Sequence, residues 1–94
     1  MKGGTAKKTS TLELTHIETV RALHIYLQYM LALPAHYGRN LDALHDCLTD
    51  IGEDTLILVK AQGARGETAA CLPRLMRVLE DAAQENPHLT FSCL

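Results

Sequence analysis

The order of local patterns along this chain predicts an α/β fold: a three-stranded parallel sheet with crossover helices packed against it. Three observations predict it. Strand-like runs alternate with helix-like stretches in the order β-α-α-β-α-β, the arrangement that parallel strands joined by helical crossovers require. The middle run, Thr55-Leu-Ile-Leu-Val-Lys60, is compact, apolar and of strand length, consistent with a strand covered on both faces. The whole chain has 94 residues, enough for one modest core but not for two. Right-handed connections follow from the usual chirality of such crossovers.

Each element has its own signal. Thr11-Leu-Glu-Leu-Thr15 alternates apolar and polar residues and reads as a short strand. Thr15-His-Ile-Glu18 has the form of a capping box. Behind it Ile17, Val20, His24, Leu27 and Leu31 recur at helical spacing and predict a helix from about His16 to Leu31. Leu33-Pro34 stops it, because a residue before proline avoids the helical region. Ala35 to Asn40 is then a loop, with Gly38 a candidate for positive φ and Asn40 a good N-cap. Leu41, Leu44, Leu48 and Ile51 gather on one side of the next predicted helix, which ends near Gly52. The segment 62–66 is a turn-rich connection after the apolar strand. The last helix is expected from Cys71 or Leu72 to Glu85, since Pro73 fits only a first turn, and Asn86-Pro87 ends it. Leu89 to Leu94 closes the chain as a strand.

The second helix carries the most informative feature. Between Asn40 and Asp54 lie Asp42, Asp46, Asp50, Glu53 and Asp54, with no lysine or arginine among them. Asp42, Asp46 and Asp50 fall at i, i+4 and i+8 and share one helical face with His45 and Thr49. Like charges at that spacing destabilise a helix by a few tenths of a kcal/mol per pair. A charged helix face is ordinarily just solvated; a face of a single sign, without internal partners, points to cations supplied from outside.

Charge over the whole chain agrees. Nine bases and eleven acids give a net −2. Residues 1–10 hold Lys2, Lys7 and Lys8 and no acid, and read as a short flexible basic tail, so residues 11–94 form an acidic domain with 6 bases against 11 acids. That balance argues against nucleic acid as a direct ligand and for a basic protein partner. No apolar run is long enough to span a membrane, and no apolar signal core follows the basic start, so a cytoplasmic location is expected. Cys47, Cys71 and Cys93 form no CxxC pair and read as reduced, buried, small hydrophobes.

Catalytic signatures are missing. Gly63 and Gly66 lack the spacing and the following Lys-Ser/Thr of a phosphate loop, and neither GxSxG nor HExxH occurs. The five histidines form no tight metal-ligand pair; His36, His45 and Asp46 are the one combination that could meet a metal, and a metal site is not expected. No cofactor is expected either. His24 sits on the apolar side of the first helix, where a satisfied core or boundary histidine is the ordinary reading. Asp42 and Asp46, exposed on a convex face, lack the pocket that would split their pKa values for acid–base work.

The stretch from Leu31 to Thr49, LALPAHYGRNLDALHDCLT, closely resembles the signature of the barstar family, intracellular inhibitors of barnase-type ribonucleases. The family pattern is roughly LxLPxYYGxNLDALWDxL, and LALP, YG, NLDAL and DCLT stand nearly intact here. The likeness extends more weakly over most of residues 11–94. It implies the three-stranded fold and a one-to-one inhibitor of a basic ribonuclease, monomeric when free and without catalysis of its own. Carried over by position, Asp46 would take the place of a substrate phosphate among the enzyme's arginines and histidine. Asp42 would meet another basic group, Asn40 and Leu41 would approach at the helix start, and Thr49 and Asp50 would lie at the rim. An acidic residue of the last helix would also contribute, Asp81 by the best alignment and Glu80 next.

Three positions depart from the pattern. His36 stands where the family has a tyrosine, His45 where it has a tryptophan, and Asp50 where it has a glycine. The lost rings remove rigid contact area of the kind that forms hot spots. The resemblance therefore implies a ribonuclease inhibitor, an immunity protein of the toxin–antitoxin kind, whose cognate enzyme has its own surface. The alternative is an acidic interaction or regulatory module on the same fold without a nuclease target; a small enzyme comes last.

Overall fold

The computed structural model describes residues 8–94; most of the expected tail, residues 1–7, lies outside the described residues. Strand β1 (Lys8–Glu13) leads to helices α1 (Val20–Met30) and α2 (Leu41–Thr49), then to β2 (Thr55–Lys60), α3 (Gly66–Glu85) and β3 (Leu89–Cys93). The sheet order is β1-β2-β3 and both pairings are parallel, in the register Leu12↔Val59 and Ile57↔Phe91. The α/β class and the three-stranded parallel sheet are as the sequence predicts.

Register partners point the same way, so Leu12, Ile57, Val59 and Leu89 share one face of the sheet. That face joins a single core with Leu23 and Leu27 of α1, Leu44 and Leu48 of α2, and Leu75 and Leu79 of α3. All three helices therefore cover the same face. The sequence expectation of cover on both sides is corrected: β2 alternates, with Thr55, Ile57 and Val59 buried and Leu56 and Leu58 only half-buried. A strand order that steps in one direction, with crossovers of one hand, places every helix on one side.

Several boundaries move. β1 begins at Lys8 rather than Thr11, because its pairing with Thr55 starts there. α1 begins at Val20, capped by Thr19, whose hydroxyl accepts from the Ala22 amide at 3.1 Å; Thr15 does not cap it. The carboxylate expected from Glu18 comes instead from Glu67, whose Oε1 accepts from the Val20 amide at 2.8 Å. Thr15 turns its hydroxyl to the Gln62 carbonyl at 3.2 Å. α3 begins at Gly66, so Pro73 lies inside the helix rather than in its first turn. The bond it forgoes, from its own position to the Ala69 carbonyl, falls on the outer face, where Pro73 is exposed. α2 ends at Thr49, with Asp50 as its C-cap, ahead of Gly52.

The left-handed backbone positions also differ from expectation. Gly38 is not among them; Ala32 (φ 52°) and Arg39 (φ 55°) are. Ala32 closes α1 in a Schellman motif, with the Leu33 amide on the Gln28 carbonyl at 3.0 Å and the Ala32 amide on Tyr29 at 3.4 Å. Gly66 has φ +59°, and a Cβ there would come within 2.7 Å of the Glu18 carbonyl. That close approach lets the Glu67 amide donate to the same carbonyl at 2.8 Å, stitching the start of α3 to the start of α1.

Candidate functional site: an acidic helix and its supporting loop

Asn40 starts α2 as expected: its Oδ1 accepts from the Ala43 amide at 2.8 Å. Leu44 and Leu48 bury one side of the helix and leave the other to solvent. On that outer side Asp42, Asp46 and Asp50 are all exposed, and the Asp46 side chain keeps 86% of its accessible surface. No lysine or arginine among the described residues pairs with any of the three. Asp42 lies in the first turn, where the helix dipole favours an anion. Asp46 and Asp50 stand toward the negative end of that dipole, and no base occupies the last turn to offset them. Their field is felt locally: burial raises the Cys47 thiol pKa, and the charges of Asp50 and then Asp46 raise it further.

Among the described residues, His45 is the one side chain engaged with a carboxylate of the stripe. Its Nε2 is 3.0 Å from Glu85 Oε2 on α3, and its Nδ1 is 3.8 Å from Asp46 Oδ1. Glu85 is the site residue that sequence reasoning missed. It lies four residues after Asp81, so the two share one side of α3, whereas Glu80 lies roughly 140° around the helix from Glu85. Asp81 and Glu80 are both exposed, and neither is tied to α2. The signal that could have found Glu85 is that i, i+4 spacing from Asp81, ending on the last turn. The Thr49 hydroxyl donates to its own helix, to the Asp46 carbonyl at 3.0 Å.

The loop before α2 is held from within. Gln28 Nε2 donates to the Pro34 carbonyl at 2.9 Å, and the Tyr37 amide donates to the same carbonyl at 3.0 Å. Tyr37 then turns inward, 5% exposed, and its hydroxyl meets His24 Nδ1 at 2.6 Å. Burial lowers the His24 pKa, and burial followed by the nearby Cys47 pushes Tyr37 up to about 12. His24 is thus the core histidine the sequence suggests, with its Nδ1 paired to Tyr37. Ala32 and Arg39 bracket this loop in left-handed conformations that cost non-glycine residues roughly 1–2 kcal/mol each. Such strain persists because the surrounding bonds over-determine the loop.

His36 stays exposed and shares a shallow groove of about 290 Å³ with Pro34, Cys47 and Asp50. Asn40, Leu41 and Asp42 border a second cleft of about 440 Å³ at the start of α2. The structure therefore places His36 and Asp50 on one groove and His45 beside Asp46, and sets Asn40, Leu41 and Asp42 together at the start of α2. His36, His45 and Asp46 do not assemble into a metal site; no group of three or more potential ligands does among the described residues. The three cysteines are free, and only Cys71 is buried: Cys47 is half-buried and Cys93 exposed, which corrects the expectation that all three lie inside. No helix among the described residues is long and apolar enough to cross a membrane.

Comparison with known proteins adds two findings. The family model described as "Barstar (barnase inhibitor)" matches residues 7–94. A Bacillus subtilis (strain 168) protein named "Putative ribonuclease inhibitor YrdF" is 34% identical over 70 residues, covering 72% of this chain and 77% of that protein.

Proposed function

Since this chain belongs to the barstar family, we propose that it is a protein inhibitor of a barnase-type ribonuclease, blocking the enzyme's active site with α2 and the loop before it. The observation that carries this reading is the row Asp42, Asp46 and Asp50, exposed on one helix face without a lysine or arginine partner among the described residues.

The mechanism is mimicry of an anion. A ribonuclease must converge cations on its phosphodiester and on the charge that develops there during cleavage. Asp46 offers those cations a carboxylate in place of a phosphate, with no scissile bond attached. Asp42 meets a neighbouring base, Asn40 and Leu41 approach through the helix start, and Thr49, Asp50 and Asp81 line the rim. Glu85, held to His45, extends the rim across to α3. The loop is tied by Gln28, His24 and Tyr37, so little ordering entropy remains to be lost on docking. The acidic surface steers a basic enzyme toward the stripe, an advantage eroded by salt. His36 and His45 replace large rings in this patch, so affinity here leans on charge more than on aromatic contact area. Such an inhibitor acts as an immunity protein inside the cell that makes or meets the nuclease.

Titrating a purified barnase-type ribonuclease with this protein tests the reading. Activity on RNA falls linearly to an endpoint at equimolar inhibitor if the proposal holds. Undiminished activity at large molar excess, against nucleases encoded beside it and against barnase-type enzymes generally, leaves an acidic interaction module as the better account.

A further inference from the structure

The acidic stripe ends at a corner of opposite character. The cleft at the start of α2 is bordered by Arg39 from the loop and Arg74 from α3, with His24 and Cys71 among its lining residues. Neither arginine has a carboxylate partner among the described residues, although Asp42 borders the same cleft. An isolated guanidinium on a surface needs no explanation; two arginines lining one cleft beside a carboxylate they do not engage is a less ordinary arrangement.

The buried histidine of the lining bears on what the cleft can accept. His24 is 3% exposed and its Nδ1 is 2.6 Å from the Tyr37 hydroxyl. That hydroxyl, itself buried, has no other acceptor among the described residues, so its proton goes to Nδ1. The imidazole is then the tautomer with hydrogen on Nε2. Nε2 has no protein partner, and it is not among the buried unpartnered atoms, of which Thr68 Oγ1 is the one found among the described residues. Nε2 is therefore not fully enclosed, on a residue that lines the cleft. The first-turn amides of Leu41 and Asp42 also lack backbone partners, as they must at a helix start. One neutral N–H donor in the lining, two guanidiniums at the border and free amides alongside form a set of donors suited to a carboxylate.

We infer that the Arg39–Arg74–His24 cleft receives an acidic side chain of the nuclease, so that the recognition surface carries both signs. This rests on the inhibitor reading above and names a feature of the partner: an aspartate or glutamate at the edge of its cationic active site. Nuclease acids set against the stripe would be repelled, so the cleft fixes the docking register as well as adding contacts. A nucleic-acid phosphate is the poorer occupant, because the adjacent stripe repels a polyanion.

The test uses the sign of a charge change. If the surface worked only as an acidic decoy, reversing a nearby arginine to glutamate would add negative charge and tighten binding to a basic enzyme. The cleft predicts the opposite: Arg39→Glu and Arg74→Glu each weaken inhibition about tenfold or more. Lys60→Glu, the same charge change at an exposed residue of β2 outside the cleft lining, leaves inhibition unchanged or slightly tighter. Both arginines are exposed, and an unaltered circular dichroism spectrum and melting temperature confirm folding. Alanine substitution of each active-site-edge acid of the nuclease then identifies the one whose loss removes the sensitivity to Arg39 and Arg74. Unchanged or tighter inhibition by both reversals, with wild type still inhibiting, overturns the cleft and leaves the inhibitor reading standing. A wild-type protein that fails to inhibit overturns that reading and the cleft with it.

Discussion

Tyr37 and His24 join the loop before α2 to α1 through one short hydrogen bond in the core, and that bond has a pH signature. Burial holds the His24 pKa below its ordinary 6.5, so the folded state prefers the neutral ring. Between the lowered folded value and 6.5 the unfolded chain binds more protons than the folded one. The stabilisation is therefore complete above pH 6.5 and is lost as pH falls through and below it, at up to about 1.4 kcal/mol per pH unit. Urea unfolding at a series of pH values checks this, with His24→Gln expected to flatten the acid limb; an equally steep limb in that variant would assign the loss to other groups. Glu85 and His45 form the other pair at this scale. Sequence pattern marked His45 as a departure from the family, but its engagement with Glu85, forty residues on, is a product of the tertiary fold.

At the scale of elements, the sites of greatest leverage are where chain ends are tied to distant segments. Asn86 is buried; its Nδ2 donates to the Leu48 and Ile51 carbonyls, each at 2.9 Å, and its Oδ1 accepts from the His88 amide. It adds a donor to two carbonyls at the end of α2 and so fixes that helix against α3. Asn86→Ala is expected to cost about 1–3 kcal/mol by removing three hydrogen bonds at a buried site and leaving the Ile51 carbonyl and the His88 amide without their Asn86 partner, measured by denaturant unfolding. Gly66→Ala is expected to cost at least about 1 kcal/mol, since alanine is strained at φ +59° and its Cβ would press on the Glu18 carbonyl. These elements also show what local sequence can reveal. Asn40 as a cap, the apolar stripe of α2, and β2 at Thr55–Lys60 were legible because their determinants lie within a few residues. The start of α1 was not, because Glu67 caps it from 47 positions away and frees Thr19 to take the role given to Thr15. Likewise α3 runs through Pro73 because its first turn is anchored on Glu18, which no local pattern around the proline records. In the candidate site, the aspartates of α2 were legible from spacing, while Glu85 and the Arg39–Arg74 cleft required α3 to be packed beside α2.

Across the whole molecule, the arrangement is a rigid one-sided scaffold that presents charge. All three helices lie on one face of the sheet, the loop is pinned at both ends, and no lysine or arginine among the described residues pairs with the aspartates of α2. Stability alone would favour bases interspersed along that helix. Keeping the stripe unpaired makes sense when another molecule supplies the cations. It follows that the association rate with a basic nuclease should fall steeply as salt rises over the range in which the screening length shrinks from about 30 Å to about 8 Å, with dissociation much less affected; stopped-flow mixing measures both. The central claim is that Asp46 stands in for a phosphate, and the most direct measurement is the inhibition constant of Asp46→Ala against the nuclease that wild type inhibits. The account predicts a loss on the order of a hundredfold or more at unchanged melting temperature, larger than for any other single truncation, because enzyme cations are left unpaired at a desolvated site. Equal inhibition by mutant and wild type would contradict it.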